Sequence, residues 1–284
     1  MMVPPPITVC FLSSPFTSME EARIALDKIQ NAVVRASSSV IDPTLLVDYA
    51  NSEYMQKSMG HARGYSTLRL EQWSAVLNFF VLARKDEFTL SDWKALEVLQ
   101  ILRTVMAINF SIDFTAVTKN ELLWDEHLPE FRTIIKHARK FVELGKDENN
   151  LPTLTLETEI ILPLYFVAAK CRDGKLRREA ISLLKSRERQ EGIWNSTLTA
   201  MLAERLVQME EEGLAALERC NLTLEGALQD GDALMEDIKW EMRVQGVQVK
   251  WEIEQRRVSL SYQRINVEDG GLGVVDVRSE VPRK

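Results

Sequence analysis

Residues 160–196 read IILPLYFVAAKCRDGKLRREAISLLKSRERQEGIWNS, and this stretch decides the fold class. Ile160 to Ala169 is an apolar run, too oily for a surface and far short of the roughly 18 residues that suggest a membrane span. It predicts a fully buried helix with other elements packed on every side. The run ends at Cys171-Arg172-Asp173-Gly174, where the glycine is expected to supply a left-handed C-terminal cap. Beyond it, at about 100° per residue, Leu176, Ala180, Ile181, Leu183 and Leu184 fall on one arc. Lys175, Arg178, Ser182, Lys185 and Arg189 fall on the opposite arc. The spacing predicts a short amphipathic helix with one cationic stripe. Arg189-Gln190-Glu191-Gly192 then turns the chain, and Trp194, Leu198, Met201, Leu202, Leu206 and Met209 give a further helix its apolar seam.

Helical spacing continues upstream. Ser18-x-x-Glu21 has the form of a capping box, followed by a stripe of Met19, Ala22, Leu26, Ile29 and Val33 that ends near Ser37-Ser38-Ser39. Pro43 opens a second helical stretch over 44–58, and Trp73, Val76, Leu77, Phe80 and Val81 define a third, with His61 to Gly64 between them. Ser91 to about Phe110 is apolar nearly all round, which predicts a central helix. Leu128, Phe131, Ile134, Ile135, Ala138 and Val142 build another amphipathic helix, stopped by Gly145 and the polar run Lys146 to Asn150 before Pro152.

The period changes to two near the C-terminus. Val247, Val249, Trp251 and Ile253 alternate with polar residues, as do Val258, Leu260 and Tyr262, so a β-hairpin turning around Glu254 to Arg257 is expected. No fixed repeat relates the helices, which argues against a solenoid and for irregular antiparallel pairing. The expected fold class is mostly α: an irregular antiparallel helical bundle with a small C-terminal β-hairpin. The organisation read from the chain is an extended N-terminal segment over 1–15, a helical domain over 16–245, a hairpin over 246–267 packed on the helices, and a loose tail over 268–284.

A chain of 284 residues with 45% hydrophobic content is long enough to bury a large core. Its net charge of -7 argues against nonspecific affinity for nucleic acid, because phosphate binding needs a positive field. Cys10, Cys171 and Cys220 are odd in number and widely spaced, which suits a reducing compartment without a disulfide framework. The short apolar stretch Ile7 to Leu12 has no basic residue before it and is too short for a secretory signal. The expectation is a soluble intracellular protein without a membrane partner.

Reaction chemistry is sparse. His61, His127 and His137 form no metal-binding pair, and no phosphate-binding glycine loop or nucleophile elbow occurs. Glu210-Glu211-Glu212 is expected to be a solvated face, since neighbouring helical residues point about 100° apart and do not converge on one ion. Cys171 is expected to be packed rather than reactive. No catalytic, cofactor-binding, metal or DNA-binding residue is assigned, and no cofactor is expected. Arg177, Arg187 and Arg205 project toward apolar sides of their helices. Either they form buried or half-buried ion pairs, with Glu157, Glu159, Glu179 and Glu191 as the available acids, or their stems run along the edge of the core.

The basic stripe Lys175, Arg178, Lys185 and Arg189 is the candidate docking feature. Residues 170–189 carry eight Lys or Arg against three Asp or Glu, but no aromatic residue lies between Phe166 and Trp194 to stack on bases. A solvated helix face is the plainest reading, and docking of an acidic protein segment is the functional one.

Three motifs in this region carry a family resemblance: Pro163-Leu164-Tyr165-Phe166-Val167-Ala168-Ala169-Lys170-Cys171-Arg172-Asp173, then Leu176-Arg177-Arg178-Glu179-Ala180 with Leu183-Leu184, then Arg189-Gln190-Glu191-Gly192-Ile193-Trp194-Asn195-Ser196. Together they resemble the C-terminal regulatory half of fungal zinc-cluster transcription factors. The resemblance is strongest over 160–212 and extends more weakly to Pro15-Phe16-Thr17-Ser18-Met19-Glu20-Glu21-Ala22-Arg23. It implies a nuclear, non-enzymatic helical module of transcriptional control with transcriptional proteins as partners. The six-cysteine zinc cluster of that family has no counterpart among the three cysteines here, so no direct DNA binding is expected. The chain is then either a piece of a longer factor or a free-standing regulatory domain. Two other classes stay open, a helical scaffold without a transcriptional role and a small-molecule-binding helical protein. Six tryptophans on apolar helices also leave room for a homodimer.

Overall fold

The computed structural model describes residues 15–38, 53–112, 120–146, 153–221, 245–252, 257–266 and 273–282. The chain divides into two compact units, Met1–Ser111 and Ile112–Lys284. Seven α-helices carry most of the described residues, and the fold is mostly α. The expected extended segment over 1–15 lies almost wholly outside the described residues, as do 44–52 and the hairpin turn.

In the N-terminal unit, α1 spans Met19–Ser38, α2 Glu53–Arg84 and α3 Leu90–Ser111. The capping box forms at α1: Ser18 Oγ accepts from the Glu21 amide at 3.1 Å, and the Glu21 carboxylate accepts from the Thr17 amide and hydroxyl at 2.7 and 2.9 Å. These bonds, the backbone one first, hold the Glu21 carboxyl below its ordinary range. An equivalent box starts α3, where Thr89 and Asp92 exchange bonds at 2.9, 2.6 and 3.2 Å. The core gathers Phe16, Leu26, Ile29, Trp73, Leu77, Phe80, Leu99 and Phe110. Trp73 is fully buried, and its indole N–H donates to the Ala22 carbonyl at 2.8 Å, tying α2 to α1.

The break expected at His61 to Gly64 does not occur; α2 runs through it without interruption. Gly64 lies on an exposed side of the helix with open space around its Cα. A mid-helix glycine costs about 1 kcal/mol, which the packing of the following three turns exceeds.

In the second unit a 3-10 turn over Glu121–His127 leads into α4, Leu128–Leu144. The helices α5, Ile161–Lys170, α6, Gly174–Lys185, and α7, Ser196–Asn221, follow. Between them a small sheet forms from β1, Thr153–Thr155, β2, Arg189–Glu191, and β3, Trp194–Asn195, in the order β1-β2-β3. β1 runs parallel to β2, and β3 antiparallel. Gly192 sits at the β2 to β3 turn with φ +55, a conformation that glycine adopts without steric cost. Trp194 therefore starts a strand rather than a helix.

Gly174 is not the cap of the preceding helix. It opens α6, and Asp173 is the N-cap, its carboxylate accepting from the Lys175 and Leu176 amides at 2.9 and 3.2 Å. An aspartate directly before the glycine supplies the anionic cap that a helix start favours, so the two helices share one short corner.

At the C-terminus β4, Gln245–Glu252, and β5, Arg257–Asn266, pair antiparallel with Val249 opposite Leu260 and Trp251 opposite Val258. This is the expected hairpin. A third strand, β6, Gly273–Pro282, pairs with β5 where the sequence reading puts a loose tail. The signal is the alternation of Val275, Val277, Ser279 and Val281 with Asp276, Arg278 and Glu280. The register sets Val277 opposite Tyr262 and Val281 opposite Val258, so period-two positions line up across all three strands.

Candidate functional site

Helix α5 is the centre of the second unit, and no residue of it is exposed. Ile161, Pro163, Leu164, Val167 and Ala168 are buried, while Leu162, Tyr165, Phe166 and Ala169 are half-buried at its rim. Burial raises the Tyr165 hydroxyl pKa above its ordinary value. A buried helix creates a polar problem at each end, because its terminal amides and carbonyls lack partners within the helix.

The N-terminal end is closed by Glu191 of β2. Its carboxylate accepts from the amides of Glu159 at 2.8 Å, Ile160 at 3.1 Å and Ile161 at 3.1 Å, and the residue is buried. A carboxylate also complements the positive end of the helix dipole. At the other end, Arg177 of α6 donates through Nε to the Ala168 carbonyl at 2.6 Å and through Nη1 to Glu210 of α7 at 2.5 Å. The side chains of Arg177 and Glu210 are both wholly buried. One guanidinium thus joins three helices.

These contacts revise the sequence reading of the charges. Glu210 is not on a solvated face, although it lies in an acidic run, because it is the partner of Arg177. Of the two readings left open for Arg177, the structure shows the buried pair, with an acid outside the four considered. Of those, Glu179 takes Arg139 at 2.9 Å and Glu191 caps α5. Arg187 donates to the Gly145 carbonyl at 3.3 Å.

The four candidate docking residues do not form one open stripe. Lys175 is exposed, Arg178 reaches Glu211 at 3.6 Å, and Lys185 pairs with Glu204. Arg189 is buried in β2 with its guanidinium 4.9 Å from the Phe141 ring centre. The helix ends at Lys185, so projecting its periodicity as far as residue 189 carries that arginine to the wrong surface.

A cleft of about 150 Å³ lies beside the α5 to α6 corner, lined by Trp124, Asp125, Leu128, Phe131, Cys171, Arg172 and Asp173. Trp124 and Phe131 pack against Phe166 with ring centres 5.5 and 5.6 Å apart. Asp125 and Arg172 pair at 3.1 Å, and Asp173 is engaged as the α6 cap. Next to it Lys170 bonds the buried Glu121 at 2.9 Å and sits 5.5 Å over the Trp124 ring. Cys171 is buried, as its position after an apolar helix leads one to expect. The lining is mostly apolar with paired charges, suited to accommodating an apolar group. The sequence names Cys171, Arg172 and Asp173 as a turn and Leu128 and Phe131 as part of a helix stripe, but no local pattern joins the segment 121–131 to this corner.

Among the described residues, no group of three His, Cys, Asp or Glu side chains is placed to hold a metal ion, and no helix is long and apolar enough to cross a membrane. His127 stands at the start of α4, 3.8 Å from Glu130.

No protein-family model and no solved structure matches the chain. A curated relative is the Aspercryptin biosynthesis cluster-specific transcription regulator atnN of Emericella nidulans, 40% identical over 58 residues. The match covers 20% of this chain and spans 10% of the regulator's length. Over that stretch the chain is similar to a fungal transcription regulator.

Proposed function

We propose that the chain is a non-catalytic regulatory module of the kind found in the C-terminal half of fungal zinc-cluster transcription factors, acting in the nucleus through contact with transcriptional proteins. The observation that carries this reading is the 40% identity over 58 residues to a cluster-specific transcription regulator. The architecture around α5 supports it. The groups that close the two ends of that helix, Glu191, Arg177 and Glu210, hold the surrounding helices at fixed angles. Such a body presents a surface of constant shape, which suits recognition of a protein partner. Direct DNA contact is not part of the proposal, given the net charge of -7 and the engagement of Arg178, Lys185 and Arg189 within the chain.

The test fuses the full chain to an unrelated DNA-binding domain and measures a reporter gene in fungal cells. A change in reporter output is expected, and Arg177→Met should abolish it by dismantling the body around α5. A nuclear, well-folded fusion that leaves the reporter unchanged would refute the regulatory reading.

The cleft beside α5 supports a second reading, in which a small apolar effector adjusts the module. Its lining of Trp124, Leu128 and Phe131 motivates the idea. A thermal-shift screen with small apolar metabolites should raise the melting temperature, and Leu128→Trp, which fills the cleft, should remove the response.

A further inference from the structure

The cleft beside the α5 to α6 corner has in its wall a donor that the fold leaves unanswered. Trp124 lines the cleft and is only 3% exposed, and its indole nitrogen is buried with no hydrogen-bond partner among the described residues. An indole N–H donates and does not accept, so only an acceptor satisfies it. The ring neighbours of Trp124 supply none: Lys170 places an ammonium 5.5 Å from the ring centre, and Phe166 packs against the indole at 83°. Trp73, also buried, has its acceptor in the Ala22 carbonyl at 2.8 Å. A buried donor without an acceptor is costly, and native folds leave few of them.

We propose that the cleft takes a neutral molecule with a body the size of one ring and a carbonyl oxygen, and that this oxygen accepts the hydrogen bond of the Trp124 indole. The proposal rests on the reading of the cleft as an effector site and names the chemistry of the effector. Size follows from the cavity, whose volume of about 150 Å³ accommodates a single benzene-like ring. Neutrality follows from the charges. Asp125 pairs with Arg172 at 3.1 Å, and Asp173 caps α6 with Arg132 3.8 Å away. A cation would have to compete with Arg172 or Arg132 for these carboxylates, and an anion would meet two carboxylates in the lining. Trp124, Leu128 and Phe131 receive the apolar body. Because the indole nitrogen is sealed from solvent, a small turn of the ring brings its hydrogen to the ligand oxygen. Only a ligand with an acceptor offsets the cost of that turn, which separates it from a bare hydrocarbon.

Cyclohexanone and methylenecyclohexane test this on the full chain, since they share one ring shape and differ in the carbonyl oxygen. The indole N–H resonances of the six tryptophans report the donor directly, that of Trp124 being the one missing from Trp124→Phe. Cyclohexanone should shift the Trp124 resonance saturably and bind about tenfold more tightly than methylenecyclohexane. Trp124→Phe should reduce cyclohexanone to the affinity of the hydrocarbon and leave the hydrocarbon unchanged, and Leu128→Trp should abolish binding of both by filling the cleft. Equal affinity of the parent protein for the two compounds overturns the acceptor assignment while leaving an apolar effector site in place. Binding of neither overturns both readings, and a Trp124 resonance unmoved at saturation overturns this one. The comparison of the two compounds on the parent protein needs no variant, so it decides the matter even if Trp124→Phe fails to fold.

Discussion

Trp73 and Arg177 are both fully buried, and each reaches across to the backbone carbonyl of another helix, Ala22 at 2.8 Å for the indole and Ala168 at 2.6 Å for the guanidinium. Around Trp73 the rest of the packing is apolar, with Phe16 at 6.3 Å and Leu26, Leu77 and Phe80 beside it in the core. Around Arg177 the chain must also bury a carboxylate, Glu210, and on the far side of α5 a second one, Glu191. The packing around Trp73 therefore depends on apolar volume, whereas the helices around α5 depend on particular charged residues. Arg177 and Glu191 each satisfy backbone groups that no apolar residue could satisfy.

The largest effect should come from breaking the buried pair from one side. Arg177→Met or Glu210→Met leaves an uncompensated charge in the interior and should cost about 3 to 5 kcal/mol in urea unfolding. The double replacement by Met should recover most of that loss, because two apolar side chains fill the space without charge. A double variant as unstable as either single one would show that the Ala168 carbonyl, and not the carboxylate, is what Arg177 chiefly satisfies.

Next in size is the cap on α5. Glu191→Ala removes the acceptor for three amides at the start of a buried helix and should cost about 2 to 3 kcal/mol. Hydrogen exchange should localise the loss to the first turn of α5, with α1 to α3 unaffected. Equal loosening of both units would break the distinction drawn between them.

Much of this was legible before the structure. The stripes Met19, Ala22, Leu26 and Ile29, and Phe131, Ile134, Ile135 and Ala138, repeat at helical spacing and are buried as the pattern requires. Apolar periodicity reports which face of a helix is buried, and it does so without knowledge of any neighbour. The partners of buried charges are a different kind of information. Arg177 was recognisable as a misplaced charge on an apolar arc, but Glu210 lies 33 residues away in an acidic run whose composition suggests solvent. Only the crossing of α6 and α7 selects it over Glu211. The same holds for Glu191, which belongs to a turn by sequence and serves a helix that begins 30 residues earlier. The cleft likewise joins segment 121–131 to 171–173, a pairing that local pattern does not encode.

In the N-terminal unit, Trp73→Phe should cost less, about 1 to 2 kcal/mol, since it keeps most of the ring and loses one hydrogen bond to Ala22. Smallest of all is the cap of α3. Thr89→Ala should cost about 1 kcal/mol at neutral pH. Its bonds hold the Asp92 carboxyl below its ordinary range, the Thr89 hydroxyl contributing first and its amide second. A carboxyl whose pKa is lower in the folded state stabilises the fold above its unfolded value, and that contribution fades as the pH falls through the folded value. The parent should thus lose this increment below about pH 4, while the Thr89→Ala variant loses less of it. Urea midpoints for the two proteins should converge on acidification. A gap that stays constant from neutral to strongly acidic pH would mean that the threonine acts through the helix backbone alone, with no part played by the Asp92 charge.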